Sequence, residues 1–344
     1  MASLDVFQQD PFSTIQLTAA IEKVPFQPTG LGELNIFDPF PIRTKALFIE
    51  ERQGKLTLLQ TTPRGAPLAN RTTEKRVARS FNVPRIAEED TVMADEIQSI
   101  RAFGTESELM MVQAEVARRL NGPTGLLRNV EYTWENMRLG AIQGILNDAD
   151  NTPIYNWFDE FQVAQPAEIA FDLSAASPVE GALRTKCNAV VRGMARASQG
   201  AFVTGTRVYG LCGDAFWDAL VSHPDVTKTY YNWAAATELR AGQAFQAMRF
   251  GGIDFFNYRG SDDATTIAVN TDKVKFFPVG APGIFQVAYA PGESFQWVNT
   301  PGKPQYVIPI PDRDRNAWWR MEVYSYPLFI CTRPAVLYSG RRGA

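Results

Sequence analysis

Residues able to do chemistry are few in this chain, and they are scattered. His223 is the only histidine of 344 residues. A single imidazole rules out multi-histidine metal sites and leaves at most one histidine general base. It stands in Ser222-His223-Pro224, just past a helical pattern, where the expected role is capping the last carbonyls. Cys187, Cys212 and Cys331 are odd in number and form no CxxC pair, so neither a disulfide framework nor a zinc site is expected. Asp148-Ala149-Asp150 has the form of a metal-binding DxD but ends a helical pattern, where such residues commonly make the turn. Glu88-Glu89 and Asp312/Asp314 could do acid–base work only if the fold brought them together. Asp312-Arg313-Asp314-Arg315 reads more simply as a self-paired surface loop. The tryptophans at 134, 157, 217, 233, 297, 318 and 319 could stack on sugars, yet several fall on apolar stripes and read as core. No GxSxG elbow, GxxxxGK[ST] loop or GxGxxG fingerprint is present. No catalytic residue, cofactor or metal site is therefore assigned.

Composition narrows the class further. With a net charge of −3, the chain has no strongly basic field to neutralise phosphates, which counts against a dedicated nucleic-acid binder. A protein that only encloses nucleic acid is under no such demand. Residues 1–10 lack a basic region and a continuous apolar run, so no secretory signal is expected there. No stretch approaches the roughly 20 apolar residues that cross a bilayer. A soluble protein that stays where it is made is the expectation.

The elements that would position these residues follow from periodicity and punctuation. Residues 1–43 carry Pro11, Pro25, Pro28, Pro39 and Pro41 and read as an extended arm, made apolar by Phe7, Phe12, Phe26, Ile36, Phe37 and Phe40. Such an arm needs another surface to lie on. Ala46 to Glu50 and Leu56 to Gln60 read as a hairpin about Gly54. A basic run, Arg71, Lys75, Arg76, Arg79 and Arg85, is followed by Glu88, Glu89, Asp90, Asp95 and Glu96. Adjacent blocks of opposite sign suit contacts between copies of one subunit.

Helices come next. Thr105 and Glu108 have capping-box spacing before Leu109, Val112, Val116 and Leu120. A second helix is predicted from about Thr124 to Asn147, with Leu127, Val130, Trp134, Met137, Ala141 and Ile145 on one stripe, giving about 35 Å. Residues 153–173 look strand-like and aromatic. Ser177-Pro178-Val179-Glu180 predicts another helix start, with Val179, Leu183, Cys187, Val190, Val191 and Met194 as its stripe. Arg207 to Leu211 reads as a strand and Asp214 as the cap of a short helix. From Phe245 the pattern is strands and loops, ending with Trp318 to Tyr324 and Leu328 to Thr332. The class is α+β.

Arm, hairpin-based loop, long helix, mixed lobe and returning strands, in this order, resemble the HK97-type capsid fold. The chain is also similar to the lambda-like bacteriophage major capsid protein E family. The similarity lies in Asp5-Val6-Phe7 to Thr18-Ala19-Ala20-Ile21, Gly30-Leu31-Gly32-Glu33-Leu34, and Tyr324-Ser325-Tyr326-Pro327-Leu328-Phe329 followed by Arg333-Pro334. It spans nearly the whole chain. The resemblance implies an N-terminal arm at 1–43, an E-loop at 44–90 reaching over a neighbour, and a peripheral domain at 91–170 built on the spine helix. It implies an axial domain at 171–299 and a C-terminal return to the peripheral domain at 300–344.

The function so implied is a major capsid protein, not an enzyme, that self-assembles as pentamers and hexamers into an icosahedral head around double-stranded DNA. Separate scaffolding, portal and decoration proteins, assembly in the host cytoplasm, no membrane and no covalent crosslink follow from it. The subunit interface is expected at Phe7, Phe12, Phe26, Phe37, Arg71, Lys75, Arg76, Arg79, Arg85, Glu88, Glu89 and Asp90. Three rivals stand beside this reading: an encapsulin-like shell, a carbohydrate-active enzyme with paired carboxylates, and a tail or connector component that forms rings or tubes.

Overall fold

The computed structural model describes residues 30–52, 76–99, 108–122, 125–175, 177–231, 247–258, 267–315 and 317–343. The chain enters with a helical turn α1 (Gly30–Glu33), then β1 (Asp38–Pro41), β2 (Ala46–Arg52), β3 (Arg76–Asn82) and β4 (Ile86–Met93). Helices α2 (Ala94–Ser99), α3 (Glu108–Asn121) and α4 (Leu126–Gln143) follow. Short β5 (Ile145–Asn147), β6 (Pro153–Asn156), α5 (Trp157–Glu160) and β7 (Ile169–Ala170) lead to α6 (Ala182–Ala197). Then come β8 (Arg207–Cys212), α7 (Asp214–Val221) and α8 (Pro224–Tyr231). The remainder is sheet: β9 (Ala247–Phe250), β10 (Ile253–Asn257), β11 (Lys273–Val279), β12 (Phe285–Tyr289), β13 (Tyr306–Pro311), β14 (Trp318–Ser325), β15 (Pro327–Cys331) and β16 (Tyr338–Arg341).

Buried side chains form two cores. The first gathers α1, α4 and the sheets β1–β12–β15 and β13–β14–β4. The second lies between α6, α7 and one face of the sheet β7–β16–β11–β8–β10–β9. Strand β14 shows why a sequence like this folds onto a core. Trp319, Met321, Val323 and Ser325 point inward while the alternate residues are half exposed. Strand β15 is buried along its whole length and reads as one continuous apolar run. The large sheet joins the two cores, because Val274 and Phe276 of β11 enter the second while Phe277 enters the first. Strand β12 belongs to the first core although it falls within 171–299.

Helix α4 carries the predicted stripe, with Leu127, Val130, Trp134, Met137 and Ala141 all buried. It is shorter than expected, 18 residues or about 27 Å. Gly144 ends it at φ 88, and a Cβ there would lie 2.3 Å from the Phe158 ring, so Ile145 passes into β5. Two polar residues that the stripe did not reveal are buried on the same helix. The Glu135 carboxylate accepts from the Leu31 amide at 2.7 Å, the Tyr258 hydroxyl at 3.0 Å and the Arg138 guanidinium at 3.4 Å. Arg138 in turn lies over the Trp134 and Phe329 rings.

Several sequence expectations need correction. Strand β2 pairs antiparallel with β3, from Ala46↔Asn82 to Arg52↔Arg76, and the predicted partner 56–60 lies outside the described residues. The observed register places Leu47 opposite Phe81 and buries both. The helix predicted from Ser177 begins at Ala182 instead, because Gly181 adopts φ 76 and donates to the Asp225 carboxylate; Val179 is left exposed. Asp214 is the first residue of α7 and not its cap. Gly213 holds that place, where a Cβ would sit 2.2 Å from the Asn270 carbonyl.

The His223 side chain caps the following helix, while only its backbone amide serves the preceding one, donating to the Leu220 carbonyl. Its Nδ1 accepts from the Asp225 amide at 3.2 Å, its carbonyl accepts from the Val226 and Thr227 amides, and Pro224 opens α8. Burial lowers its pKa, and an accepting Nδ1 requires the neutral ring. Within the strand-like stretch 153–173, Asn156 caps the short helix α5 by accepting from the Phe158 amide. Asp312 is buried, and its carboxylate accepts from the amides of Asp314, Arg315 and Ala317, closing the β13–β14 hairpin. Asp148 and Asp150 organise their own turn, accepting from Ala149 and Thr152.

The buried carboxylate on α4 sets the first expected outcome. Glu135→Ala leaves Arg138 buried without its ion pair and should cost about 3–5 kcal/mol of stability. Glu135→Gln, which keeps an acceptor oxygen for Leu31 and Tyr258, should cost clearly less. Urea unfolding of both variants checks this, and equal midpoints for the two would contradict the role of the acceptor oxygen.

Candidate intersubunit surface

The ribbon β2–β3 is a two-stranded sheet of its own. Leu47 and Phe81 face inward and are buried; Phe48, one residue on, is 69% exposed on the outer face. An aromatic cluster fixes the ribbon's base. The Phe81 ring meets Tyr155, Trp157 and Phe161 at centroid distances of 5.6, 5.5 and 6.0 Å. Tyr155 adds a hydrogen bond from its hydroxyl to the Asn82 carbonyl at 2.9 Å. Among the described residues neither edge of the ribbon pairs with another strand. The body thus presents a braced strand pair with open hydrogen-bonding edges and an apolar outer residue.

The predicted interface residues are distributed unevenly. Phe7, Phe12, Phe26, Arg71 and Lys75 lie outside the described residues. Phe37 packs edge-on against Phe285 and Phe329 at 5.3 and 5.1 Å, so its ring serves this chain's own core. Arg76 stands at the far end of the described ribbon, opposite Arg52. Arg79 donates to the Glu160 carbonyl and lies over the Phe161 ring. Arg85 pairs with Glu293 at 3.2 Å and lies over Tyr324.

The acidic block finds partners on its own subunit too. Glu88 accepts twice from Asn129 on α4, Glu89 faces Arg320 on β14 at 3.6 Å, and Asp90 meets Arg119 on α3 at 3.0 Å. Arg119, which sequence reasoning did not single out, is the hub. It also binds Glu96, the Thr91 carbonyl and Glu115, and so ties α3 to β4 and α2. The missed signal was Glu115-x-x-Arg118-Arg119, whose spacing puts both cations on one carboxylate within a helix turn. Most of these pairs are at least partly exposed, and such pairs are individually weak, so they set geometry more than stability.

No group of three or more His, Cys, Asp or Glu among the described residues could hold a metal ion. The three cysteines are buried, which pushes the Cys187 and Cys331 thiols up to about 12 and the Cys212 thiol well above its ordinary value. They are poor nucleophiles at neutral pH. Of the tryptophans, Trp134, Trp157, Trp217 and Trp319 are buried in the cores. No helix among the described residues is long and apolar enough to cross a membrane.

The Glu115 carboxylate gives a pH prediction. Hydrogen bonds from Arg118, with further help from Arg119, outweigh its burial and hold its pKa down to about 2, against an ordinary 4.5. The stability it contributes is therefore complete above about pH 4.5 and lost as pH falls toward 2. Glu115→Gln should remove about 2–3 kcal/mol at neutral pH and flatten the stability profile across that window. Urea denaturation at several pH values reads this directly; an unchanged slope in the variant would rule the network out as its source.

The chain is 24% identical over 367 residues to the major capsid protein of Salmonella phage Felix O1, covering 98% of each sequence. It is 25% identical to the major capsid protein of Pseudomonas phage KPP10, over 88% of this chain and 90% of that one. The capsid structure of the cyanophage P-SCSP1u superposes with a TM-score of 0.51 at 12% identity, covering 94% of both chains. The fold is thus the HK97-type capsid fold, α+β as the element order implied. The family profile described as phage major capsid protein E matches residues 13–342, and with so nearly complete a match the chain belongs to the phage major capsid protein E family.

Proposed function

We propose that this protein is the subunit of the icosahedral head shell of a tailed bacteriophage, assembling as pentamers and hexamers around double-stranded DNA. Its role is structural and not enzymatic, as its family membership implies. The observation that carries the reading is the β2–β3 ribbon, braced at its base by Phe81 and without a further strand partner among the described residues. In this reading the ribbon is the stem of an E-loop, residues 44–90, that reaches onto a neighbouring subunit. Residues 1–43 serve as the arm. The first core, with α4 as its spine, is the peripheral domain (91–170 and 300–344, joined by β12). The second core, with α6, α7 and the large sheet, is the axial domain within 171–299.

Phe48 faces the neighbour, which Arg71, Lys75 and Arg76 also contact in this reading, while Arg79, Arg85 and the acidic block mainly hold the loop's base at its angle. Their half-exposed charges remain available for a second set of partners. A separate scaffolding protein, a portal and a decoration protein complete the assembly, which takes place in the host cytoplasm without covalent crosslinks.

Reversing three charges beyond the braced base, R71E, K75E and R76E, should abolish or sharply reduce closed particles while circular dichroism and the unfolding midpoint stay within about 0.5 kcal/mol of the parent. Negative-stain microscopy of the purified protein reads the outcome. Normal particles from the variant would show that these charges make no contact between copies. Nucleic acid inside the parent particles separates a phage head from a compartment that encloses protein cargo.

A further inference from the structure

Helix α6 differs from the rest of this acidic protein. Its sixteen residues, ALRTKCNAVVRGMARA, contain four basic residues and no acidic one. Leu183, Cys187, Val190 and Met194 are buried in the second core, which turns Arg184, Thr185, Ala189, Arg192 and Arg196 to solvent. Among the described residues Arg184, Arg192 and Arg196 make no ion pair; Arg184 only rests over the Phe250 ring. The nearest acids in sequence are already engaged, Asp172 by Lys186 and Glu180 by Lys228. The exposed face therefore combines three uncompensated guanidinium groups with a small alanine at its centre that lets a partner approach. Over the twelve residues from Arg184 to Arg196 the cations span about 18 Å along the helix axis. A duplex presents one phosphate per about 1.7 Å of its axis, so several lie within that span. Arginine and small polar side chains are also the residue types that bind phosphate and sugar without reading bases.

We infer that the solvent face of α6 is a contact surface for the phosphodiester backbone of double-stranded DNA, formed by Arg184, Arg192 and Arg196. The inference rests on the proposed enclosure of duplex DNA and adds where the subunit meets it. The three guanidinium groups sit on one helix while the net charge of the whole chain remains −3, so each subunit touches the polymer lightly and many do so together.

The test is fluorescence-anisotropy binding of the purified full-length subunit to a labelled 30-base-pair duplex of arbitrary sequence across a salt series. Three lost phosphate contacts should reduce the slope of log K against log salt by about 2.7 in the R184Q/R192Q/R196Q variant. A variant with equal charge loss at the exposed Arg128, Arg313 and Arg315 should keep the parent slope. Equal effects from both variants, an unchanged slope in the first, or no binding by the parent at low salt would each overturn the assignment. So would poly-glutamate competing as well as DNA, since that would mark a site for an acidic protein. DNA-filled parent particles with an unchanged slope would refute this surface alone; particles devoid of nucleic acid would refute the enclosure itself.

Discussion

A carboxylate placed inside a hydrophobic core is costly unless every oxygen is used, and Glu135 is placed so that three separate parts of the chain use it. Leu31 brings the end of the N-terminal segment, Arg138 the next turn of the long helix, and Tyr258 the strand edge of the second lobe. Each donor must arrive in register, because a missing one leaves charge or a hydroxyl buried without a partner. Apolar packing around α4 would tolerate small slips; this cluster does not. Burial and the neighbouring carboxylate push the Tyr258 hydroxyl well above its ordinary pKa, so it stays a donor throughout the physiological range.

The large mixed sheet extends that constraint. Its strand β11 contributes Val274 and Phe276 to one core and Phe277 to the other, so the two lobes share a wall and are not joined by a linker. The next strand, β12, leaves that sheet and pairs with β1 and β15 beside the long helix. Gly302 reinforces the crossing point: its amide donates to Ile42, and a Cβ there would collide with the Tyr289 carbonyl at 2.1 Å. A chain segment from the arm side is thus locked against a strand from the far half of the sequence. Relative motion of the lobes would have to break sheet pairing, which makes this subunit better suited to bending at its loops than at its waist.

How much of this was legible in the sequence depended on whether the signal was local. The apolar stripe of α4, the alternation of β14 and the order of the elements were readable because period and burial coincide within one segment. The capping of α8 by His223 was misassigned because the same Leu220-to-Asp225 stretch ends one helix and begins another, and the proline suits either role. Glu135 was passed over because its partners lie 104 and 123 residues away. The pairing of β2 with Arg76 to Asn82 was not legible because it joins segments roughly thirty residues apart and its anchor, the Phe81 aromatic cluster, draws on Tyr155 and Trp157 far along the chain. The acidic block was seen, but Arg119, which organises it, sat unnoticed in an ordinary amphipathic helix.

The β2–β3 ribbon has one more consequence, and it concerns time. Two strand edges unpaired among the described residues, with Phe48 facing outward, can accept another strand, including the same ribbon of another newly made copy. Closed particles and sheet-linked polymers therefore compete for the same hydrogen-bonding groups, and the winner is set by how quickly growing shells consume free chains. Expression rate, and whatever shields the ribbon in the interval, becomes as much a determinant of the final architecture as any contact within the fold.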